Sequence, residues 1–170
     1  MSRLLLVAGS PSPASRSTGV LRLLQELAPS RDALTLLELR ELPPNDLLFG
    51  AKDGVLTRAH TLVSKARAIV LATPVYKAAY SGLLKTFLDY LPEGALHGKA
   101  AYPIATGGST AHLLSIDYAL KPVLSVLGAS YILEGLYLTN DAVTLTGDGI
   151  AKLSAEHESR LRKAIVELLK

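Results

Sequence analysis

The chain has 170 residues, of which 49% are hydrophobic and 19% charged, and its formal net charge is +3. This composition indicates one globular domain over residues 1–170, and because the cations are scattered without interleaved aromatic residues we expect no nucleic-acid partner. The lack of cysteine excludes disulfides and thiolate chemistry, and the lack of a long apolar stretch excludes a membrane span, so we expect a cytoplasmic protein with no membrane contact.

The first eighteen residues combine a strand pattern with a loop rich in hydroxyl groups. Leu4–Ala8 is an unbroken apolar run, typical of a strand that is covered on both faces. Gly9 ends this run, and residues 10–18 form a loop whose last residues can cap a helix over about residues 19–27. Free N–H groups and the positive end of the helix dipole would meet there, so we expect a phosphate site. The alternative is an ordinary, well-capped β–α connection.

Apolar runs and helical patterns alternate along the rest of the chain. We predict strands at residues 33–39, 68–72, 100–105 and 130–138, and helices at residues 54–67, 81–91, 110–127 and 150–169. Asn45 can cap a short turn after the second strand, and Gly128 stands where a helix C-cap glycine belongs. Pro122 lies inside a predicted helix, where its ring would clash with the carbonyl of Tyr118. A π-type bulge around Tyr118 would relieve this clash, and a simple proline kink is the alternative.

This alternation predicts an α/β fold, with one five-stranded parallel sheet and helices on both of its faces. The loop after the first strand lacks the G-x-G-x-x-G pattern of dinucleotide-binding folds, which favours the flavodoxin-like strand order 2-1-3-4-5. In such sheets the ligand lies beyond the carboxyl ends of the strands. Three loops should converge there, at residues 10–18, 74–80 and 106–112.

The three loops offer three different kinds of contact. The first offers hydroxyl groups and Arg16 for a phosphate. In the second, Tyr76 offers a flat ring, although a tight turn with a surface tyrosine explains it equally well. In the third, Gly107 and Gly108 let the backbone approach a ligand closely, or only make the turn flexible. Together they match the phosphate, the ring system and the polar ring edge of flavin mononucleotide (FMN).

Other catalytic patterns are not matched. Residues 94–99 resemble a P-loop only superficially, because the spacing is wrong and Ala100 replaces the required Ser or Thr. The four histidines are dispersed, so we expect no metal site. His112 could contact the ligand or a neighbouring subunit, or could be an ordinary helix residue.

Several motifs carry a resemblance to a known family. They are residues 8–11 (AGSP) with 15–17 (SRS), residues 72–82 (ATPVYKAAYSG), residues 105–108 (ATGG), residues 111–114 (AHLL) and residues 117–124 (DYALKPVL). On these motifs the chain resembles the NADPH-dependent FMN reductases of the flavodoxin-like superfamily, in particular the reductase component of two-component alkanesulfonate monooxygenases. The resemblance covers residues 4 to about 143, whereas residues 144–170 are less similar.

The resemblance implies FMN and NADPH as ligands, hydride transfer from the nicotinamide to the flavin N5, and release of reduced FMN to a partner monooxygenase. It also implies a homotetramer or homodimer, in which Tyr118 lies in an inserted π-helix at the tetramer interface and modulates flavin binding and release. The implied FMN-binding residues are Ser10, Pro11, Ser15, Arg16, Ser17 and Thr18 at the phosphate, Pro74, Val75, Tyr76 and Lys77 at the isoalloxazine and ribityl groups, and Thr106, Gly107, Gly108 and Ser109 at the pyrimidine edge, with His112 close by. No catalytic acid or base is implied, because the cofactor performs the chemistry.

Two other functions stay open at this point. The chain could retain FMN and pass electrons to a quinone, an azo dye or a metal oxyanion. It could also be a flavin electron carrier that does not turn over NADPH. Such carriers are usually strongly acidic, and a sequence pI near 9.2 counts against this function.

Overall fold

A computed structural model describes residues 4–50 and 54–170. The strands are β1 (Leu4–Ala8), β2 (Leu34–Glu38), β3 (Ala68–Tyr76), β4 (Ala79–Tyr80), β5 (Ala100–Gly107), β6 (Tyr131–Ile132), β7 (Leu136–Thr139), β8 (Thr144–Leu145) and β9 (Ala151–Lys152). The α-helices are α1 (Arg16–Leu27), α2 (Pro44–Phe49), α3 (Val55–Lys65), α4 (Gly82–Asp89), α5 (Lys121–Val126) and α6 (Ala155–Leu169). Short 3-10 helices lie at Arg31–Ala33, Leu39–Glu41, Thr110–His112 and Asn140–Ala142, and a π-helix lies at Ile116–Leu120.

The main sheet is parallel and has the order β2-β1-β3-β5, with β6 and then β7 paired along the outer side of β5. Because β5 is the fourth long strand and β6 with β7 takes the place of the fifth, the predicted flavodoxin-like order 2-1-3-4-5 is confirmed. Two antiparallel additions were not predicted: β4 folds back on the end of β3, and β8 pairs with β9.

Alternate residues of the buried strands supply two separate cores, one on each face of the sheet. Leu4 and Leu6 pack on the face covered by α1 and α6. Leu5 and Val7 pack on the face covered by α3, α4 and α5. This two-sided burial explains why β1 reads as a continuous apolar run instead of an alternating one. No helix in the described part of the chain combines the length and apolar character that crossing a bilayer requires.

The predicted strand over residues 130–138 is broken, which corrects the sequence-based prediction. The Leu133 N–H donates to the Ala101 carbonyl at 2.9 Å, so Ala101 turns its polar groups towards this outer strand. Pro103, two residues further along β5, faces the same way but has no N–H to donate. Gly135 passes this point with φ of 93°, and a Cβ there would lie 3.0 Å from the Pro103 carbonyl oxygen. Because Pro103 offers no N–H group and Gly135 lies close to the Pro103 carbonyl, the outer strand is interrupted between β6 and β7.

The predicted helix over residues 110–127 consists of three short segments instead of one. The expected π-type distortion around Tyr118 is confirmed, since the π-helix spans Ile116–Leu120. It places Pro122 in the first turn of α5, where a missing N–H costs nothing. Gly128 follows α5 in a left-handed conformation with φ of 87°, as predicted for the C-cap.

Several helix ends differ from the predicted ends because capping residues set them. α1 begins at Arg16 and not at residue 19, since the Ser15 Oγ accepts the Thr18 N–H at 3.3 Å. α6 begins at Ala155 and not at residue 150, since the Ser154 Oγ accepts the His157 N–H at 3.3 Å. Asn45 does not cap α2, because the helix begins one residue earlier at Pro44.

An ion-pair cluster ties α1 to the edge strand β2. Arg22 Nη2 lies 2.7 Å from Glu38 Oε1, and Arg40 Nε lies 3.0 Å from Glu38 Oε2. Burial of the Glu38 carboxyl favours its neutral form, but the hydrogen bonds from the two arginines outweigh burial and lower the pKa of Glu38 below 4.5.

We expect Glu38→Gln to lower the free energy of unfolding by about 1 kcal/mol at neutral pH, since the pair is only partly exposed. Because the pKa of Glu38 is lower in the folded than in the unfolded state, this stabilisation is present above pH 4.5 and is lost as the pH falls through the folded-state pKa. Urea denaturation of the wild type and the variant at about pH 7 and about pH 3.5 measures it. An equal difference at both pH values would contradict this account.

Candidate active site

A cavity of about 210 Å³ lies at the carboxyl ends of β1, β3 and β5. Its lining residues are Ser10, Ser12, Ala14, Ser15, Arg16, Pro74, Val75, Tyr76, Thr106, Gly107, Gly108 and Asn140. The structure thus brings residues of all three predicted loops together at one edge of the sheet. Asn140, which follows β7, joins them from the outermost strand.

The first wall of the cavity is the loop between β1 and α1. The Ser10 Oγ accepts the Ser12 N–H at 3.2 Å, and the Ser15 Oγ lies 3.0 Å from the Ser17 Oγ. Ser10 and Ser15 are buried, so the fold holds their hydroxyl groups in place. The first N–H groups of α1 have no carbonyl partner inside the helix, and the helix dipole adds partial positive charge at the same point. This wall is therefore suited to an anion.

Arg16 brings a full positive charge to the same wall. Its Nε donates to the Val143 carbonyl at 3.2 Å, which anchors the guanidinium to the segment between β7 and β8. That bond uses one edge of the guanidinium and leaves its other donors for a ligand. Among the cavity-lining residues that the structure describes, none carries a carboxylate that would oppose an anion.

The second wall is a β-hairpin, whereas the sequence predicted a loop after residue 72. β3 continues through Pro74 and Tyr76 and pairs with β4 in an antiparallel register. Lys77 and Ala78 turn the chain with φ of 50° and 66°, the left-handed pair of a type I′ turn. Neither is a glycine, so this turn carries backbone strain of about 1–2 kcal/mol per residue beside the cavity.

Hydrogen bonds connect the hairpin to the first loop. The Thr73 Oγ1 donates to the Pro74 carbonyl at 3.0 Å and accepts the Ser81 N–H at 2.9 Å. The Ser81 Oγ donates to the Gly9 carbonyl and accepts the Leu84 N–H at 3.1 Å, so it also caps α4. A Cβ on Gly9 would lie 2.8 Å from the Leu84 Cβ, which explains the glycine at this crossing. The two walls therefore hold a defined position relative to each other.

The third wall is the end of β5. A Cβ on Gly107 would lie 2.2 Å from the Tyr137 Oη, so only glycine fits there without a displacement. The Tyr137 hydroxyl donates to the Ser109 carbonyl at 2.6 Å. Burial raises the pKa of the Tyr137 phenol above its ordinary value of 10.0.

Some of the predicted site residues do not line the cavity. They are Pro11, Ser17, Thr18, Lys77, Ser109 and His112. Ser17 and Thr18 are buried within α1, because that helix begins earlier than predicted. Pro11 lines a neighbouring apolar groove instead, and Lys77 is exposed at the tip of the hairpin.

Ser109 and His112 lie beyond the end of the third wall. The Ser109 Oγ accepts the Ala111 N–H at 3.1 Å, so this side chain caps the 3-10 helix instead of facing the cavity. His112 ends that helix. Tyr118 is 79% exposed in the π-helix, also away from the lining residues.

Sequence reasoning missed Ser12, Ala14 and Asn140. Asn140 was not predicted as a site residue because no ligand-binding loop was assigned after the predicted fifth strand. The available signal was a polar side chain directly after a strand of a parallel sheet, the position where such folds bind ligands.

The donor set fits FMN. A phosphate monoester suits the hydroxyl groups of Ser10 and Ser15, the N-terminus of α1 and the Arg16 guanidinium. A planar ring suits the apolar Pro74–Tyr76 stretch of β3 and the close backbone approach at Gly107. Within residues 4–50 and 54–170, no three His, Asp or Glu side chains come together as a metal site.

Comparisons with known proteins agree with this geometry. Residues 2–144 match the family model described as NADPH-dependent FMN reductase. An FMN reductase (NADPH) of Escherichia coli is 46% identical over 143 residues, covering 83% of this chain and 75% of that protein. A protein of the same description from Pseudomonas putida is 41% identical over 162 residues, covering 94% of this chain and 82% of that protein.

Among solved structures, the apo form of the NADH:FMN oxidoreductase EMOB superposes with a TM-score of 0.85 at 32% identity. The match covers 99% of this chain and 89% of that one. The chain therefore belongs to the family of NADPH-dependent FMN reductases, oxidoreductases that use FMN and NADPH.

Proposed function

We propose that this protein reduces FMN with NADPH in the cytoplasm and releases the reduced FMN to a monooxygenase partner. The observation that carries the proposal is the cavity, in which the anion-binding first wall, the apolar hairpin of the second wall and the glycines at the end of β5 meet. When bound, FMN supplies the redox chemistry, since its N5 atom accepts a hydride from the nicotinamide. The residues of this chain would bind and orient the flavin ring and the nicotinamide ring.

The phosphate of FMN would lie at the first wall. Ser10 and Ser15 would donate through their hydroxyl groups, and the first N–H groups of α1 would donate along the helix axis. Arg16 would add charge-assisted hydrogen bonds, with its position fixed by the Val143 carbonyl. Asn140 would add a polar side chain to the lining of the cavity.

The isoalloxazine ring would lie against the hairpin and the end of β5. Pro74, Val75 and Tyr76 offer it apolar surface, and the backbone of residues 106–108 would approach its polar edge. Arg16 and Tyr76 are the titratable residues among the described lining. Hydride transfer to a flavin needs no side-chain acid or base, so the role of these lining residues is to bind and orient the ring.

Release of the flavin is supported by the open character of this site. Arg16, Tyr76, Gly108 and Asn140 are all exposed, so the rim of the cavity is accessible to solvent. A ligand held at such a rim exchanges more readily than one enclosed in a core. This is what a protein that treats reduced FMN as a product would need.

A homotetramer or a homodimer is part of the proposal. Leu113 and Leu114 are more than half exposed, and Tyr118 is 79% exposed on the π-helix that follows them. Adjacent exposed apolar side chains of this size indicate an interaction surface. We propose that Tyr118 lies at this subunit interface and modulates flavin binding and release.

The test is NADPH oxidation by the purified protein at increasing concentrations of free FMN. We expect a nearly colourless protein whose rate saturates with FMN, and NADH assayed in parallel gives the nucleotide preference. Anaerobic ultrafiltration after addition of NADPH should then recover reduced FMN in the protein-free filtrate. A yellow protein that ignores added FMN and needs a quinone or a dye would instead favour a flavin-retaining reductase. No oxidation under either condition would contradict the proposed activity.

A further inference from the structure

The Tyr137 side chain connects β7 to the turn that follows β5. In the strand register Tyr137 lies opposite Ala105, and its hydroxyl reaches along β5 to donate to the Ser109 carbonyl at 2.6 Å. The same carbonyl accepts the His112 N–H at 3.2 Å. One oxygen atom therefore joins β7, the turn at residues 108–109 and the 3-10 helix that leads towards the π-helix.

The Tyr137 hydroxyl also defines the space around Gly107. The position of a Cβ on Gly107 lies 2.2 Å from the Tyr137 Oη and 3.5 Å from the Val75 Cβ. Gly107 is buried between the tyrosine and the hairpin, so the end of β5 has little room to shift sideways. The hydroxyl is therefore both a hydrogen-bond donor and a packing contact at the third wall.

Beyond Gly107 the turn has few other constraints. Gly108 and Ser109 are exposed. Among the described residues, the other hydrogen bonds of Ser109 join it only to its near neighbours Ala111 and His112. Tyr137 thus supplies a tertiary hydrogen bond to Ser109, whereas the other hydrogen bonds of Ser109 are local. Ordering a glycine-containing turn at the moment of binding would cost about 1–2 kcal/mol per residue, which a preformed turn avoids.

We propose that Tyr137 is a positioning residue for the flavin. Its hydroxyl holds the turn at residues 108–109, directly after β5, in the conformation that receives the ring edge. The inference rests on the proposed function, because it needs the ring to lie against this turn. Tyr137 does not itself line the cavity, so it acts through the Ser109 carbonyl and the Gly107 backbone.

The test is Tyr137→Phe, which removes one oxygen atom and keeps the ring. We expect the Kd values for FMN and for riboflavin to rise by a similar factor of about 3 to 10, since the turn meets the ring that both flavins share. The kcat at saturating FMN and the KM for NADPH should stay close to the wild-type values, and so should the Tm of the flavin-free protein. Tyr131→Phe is the matched control, because Tyr131 is exposed and makes no side-chain hydrogen bond to the described residues.

Three results would overturn the role of Tyr137. In the first, Tyr137→Phe binds both flavins as tightly as the wild type does. In the second, the flavin affinity, the kcat and the Tm all fall together, which indicates a general loss of packing. In the third, only FMN is weakened and riboflavin is not, which places the effect at the phosphate. A wild-type protein that binds neither flavin would instead overturn the proposed function, and the Tyr137 role with it.

Discussion

Arg16→Ala should weaken FMN binding by about 10- to 100-fold, which corresponds to the loss of hydrogen bonds to a charged group. The guanidinium is anchored by the Val143 carbonyl and stands at the N-terminus of α1, where a phosphate would lie. Riboflavin lacks the phosphate, so its Kd should hardly change in the same variant. Titration of each flavin by fluorescence quenching measures both constants.

Two further variants test whether the effect of Arg16→Ala depends on the position and the geometry of this guanidinium. Arg58→Ala removes an exposed arginine on α3 and should leave both affinities unchanged. Arg16→Lys keeps a positive charge but loses the planar fork and the Nε–H bond to Val143, so it should recover only part of the affinity. Equal weakening of FMN and riboflavin by Arg16→Ala would contradict a phosphate site at this wall.

Gly107→Ala should lower the free energy of unfolding by about 1–3 kcal/mol and weaken flavin binding as well. The added methyl group would lie 2.2 Å from the Tyr137 Oη, so the phenol must move and its bond to Ser109 must break. Urea denaturation gives the stability of the variant, and fluorescence titration gives its affinity for FMN.

The double variant Gly107→Ala/Tyr137→Phe separates these two effects. It removes the clashing oxygen and leaves the Tyr137 Cζ position 3.2 Å from the new methyl group, so most of the lost stability should return. The affinity for FMN should stay low, because the bond to Ser109 is absent in both variants. Gly82→Ala is the control, since a Cβ there meets nothing within 4 Å. A double variant as unstable as Gly107→Ala alone would contradict the steric explanation.

Local sequence patterns predicted the parts of this molecule that depend on near neighbours. The buried run of β1, the capping potential of the loop that contains Ser15 and the glycines after β5 are each readable within a few residues. Pro122 predicted a distortion of its own turn of helix, and the family resemblance favoured a π-helix over a simple kink. Strand order and the convergence of three loops followed from general rules for α/β sheets.

Features that depend on contacts between distant segments were not predictable in this way. Pro103 and Gly135 break the outer strand together, although neither residue alone predicts a break. The hairpin after β3 forms because β4 pairs with the end of β3, whereas the sequence predicted a loop over residues 74–80.

The same limit applies to the candidate site. Tyr137 reaches Ser109 across a separation of 28 residues, and Arg16 reaches Val143 across 127. A sequence pattern predicts strands, caps and turns, because the preferences of residues for these structures are local. The packing of two cores around one sheet decides which side chain meets which carbonyl across such distances. The cavity contact of Asn140 and the Tyr137 bond behind the third wall were therefore visible only in the tertiary structure.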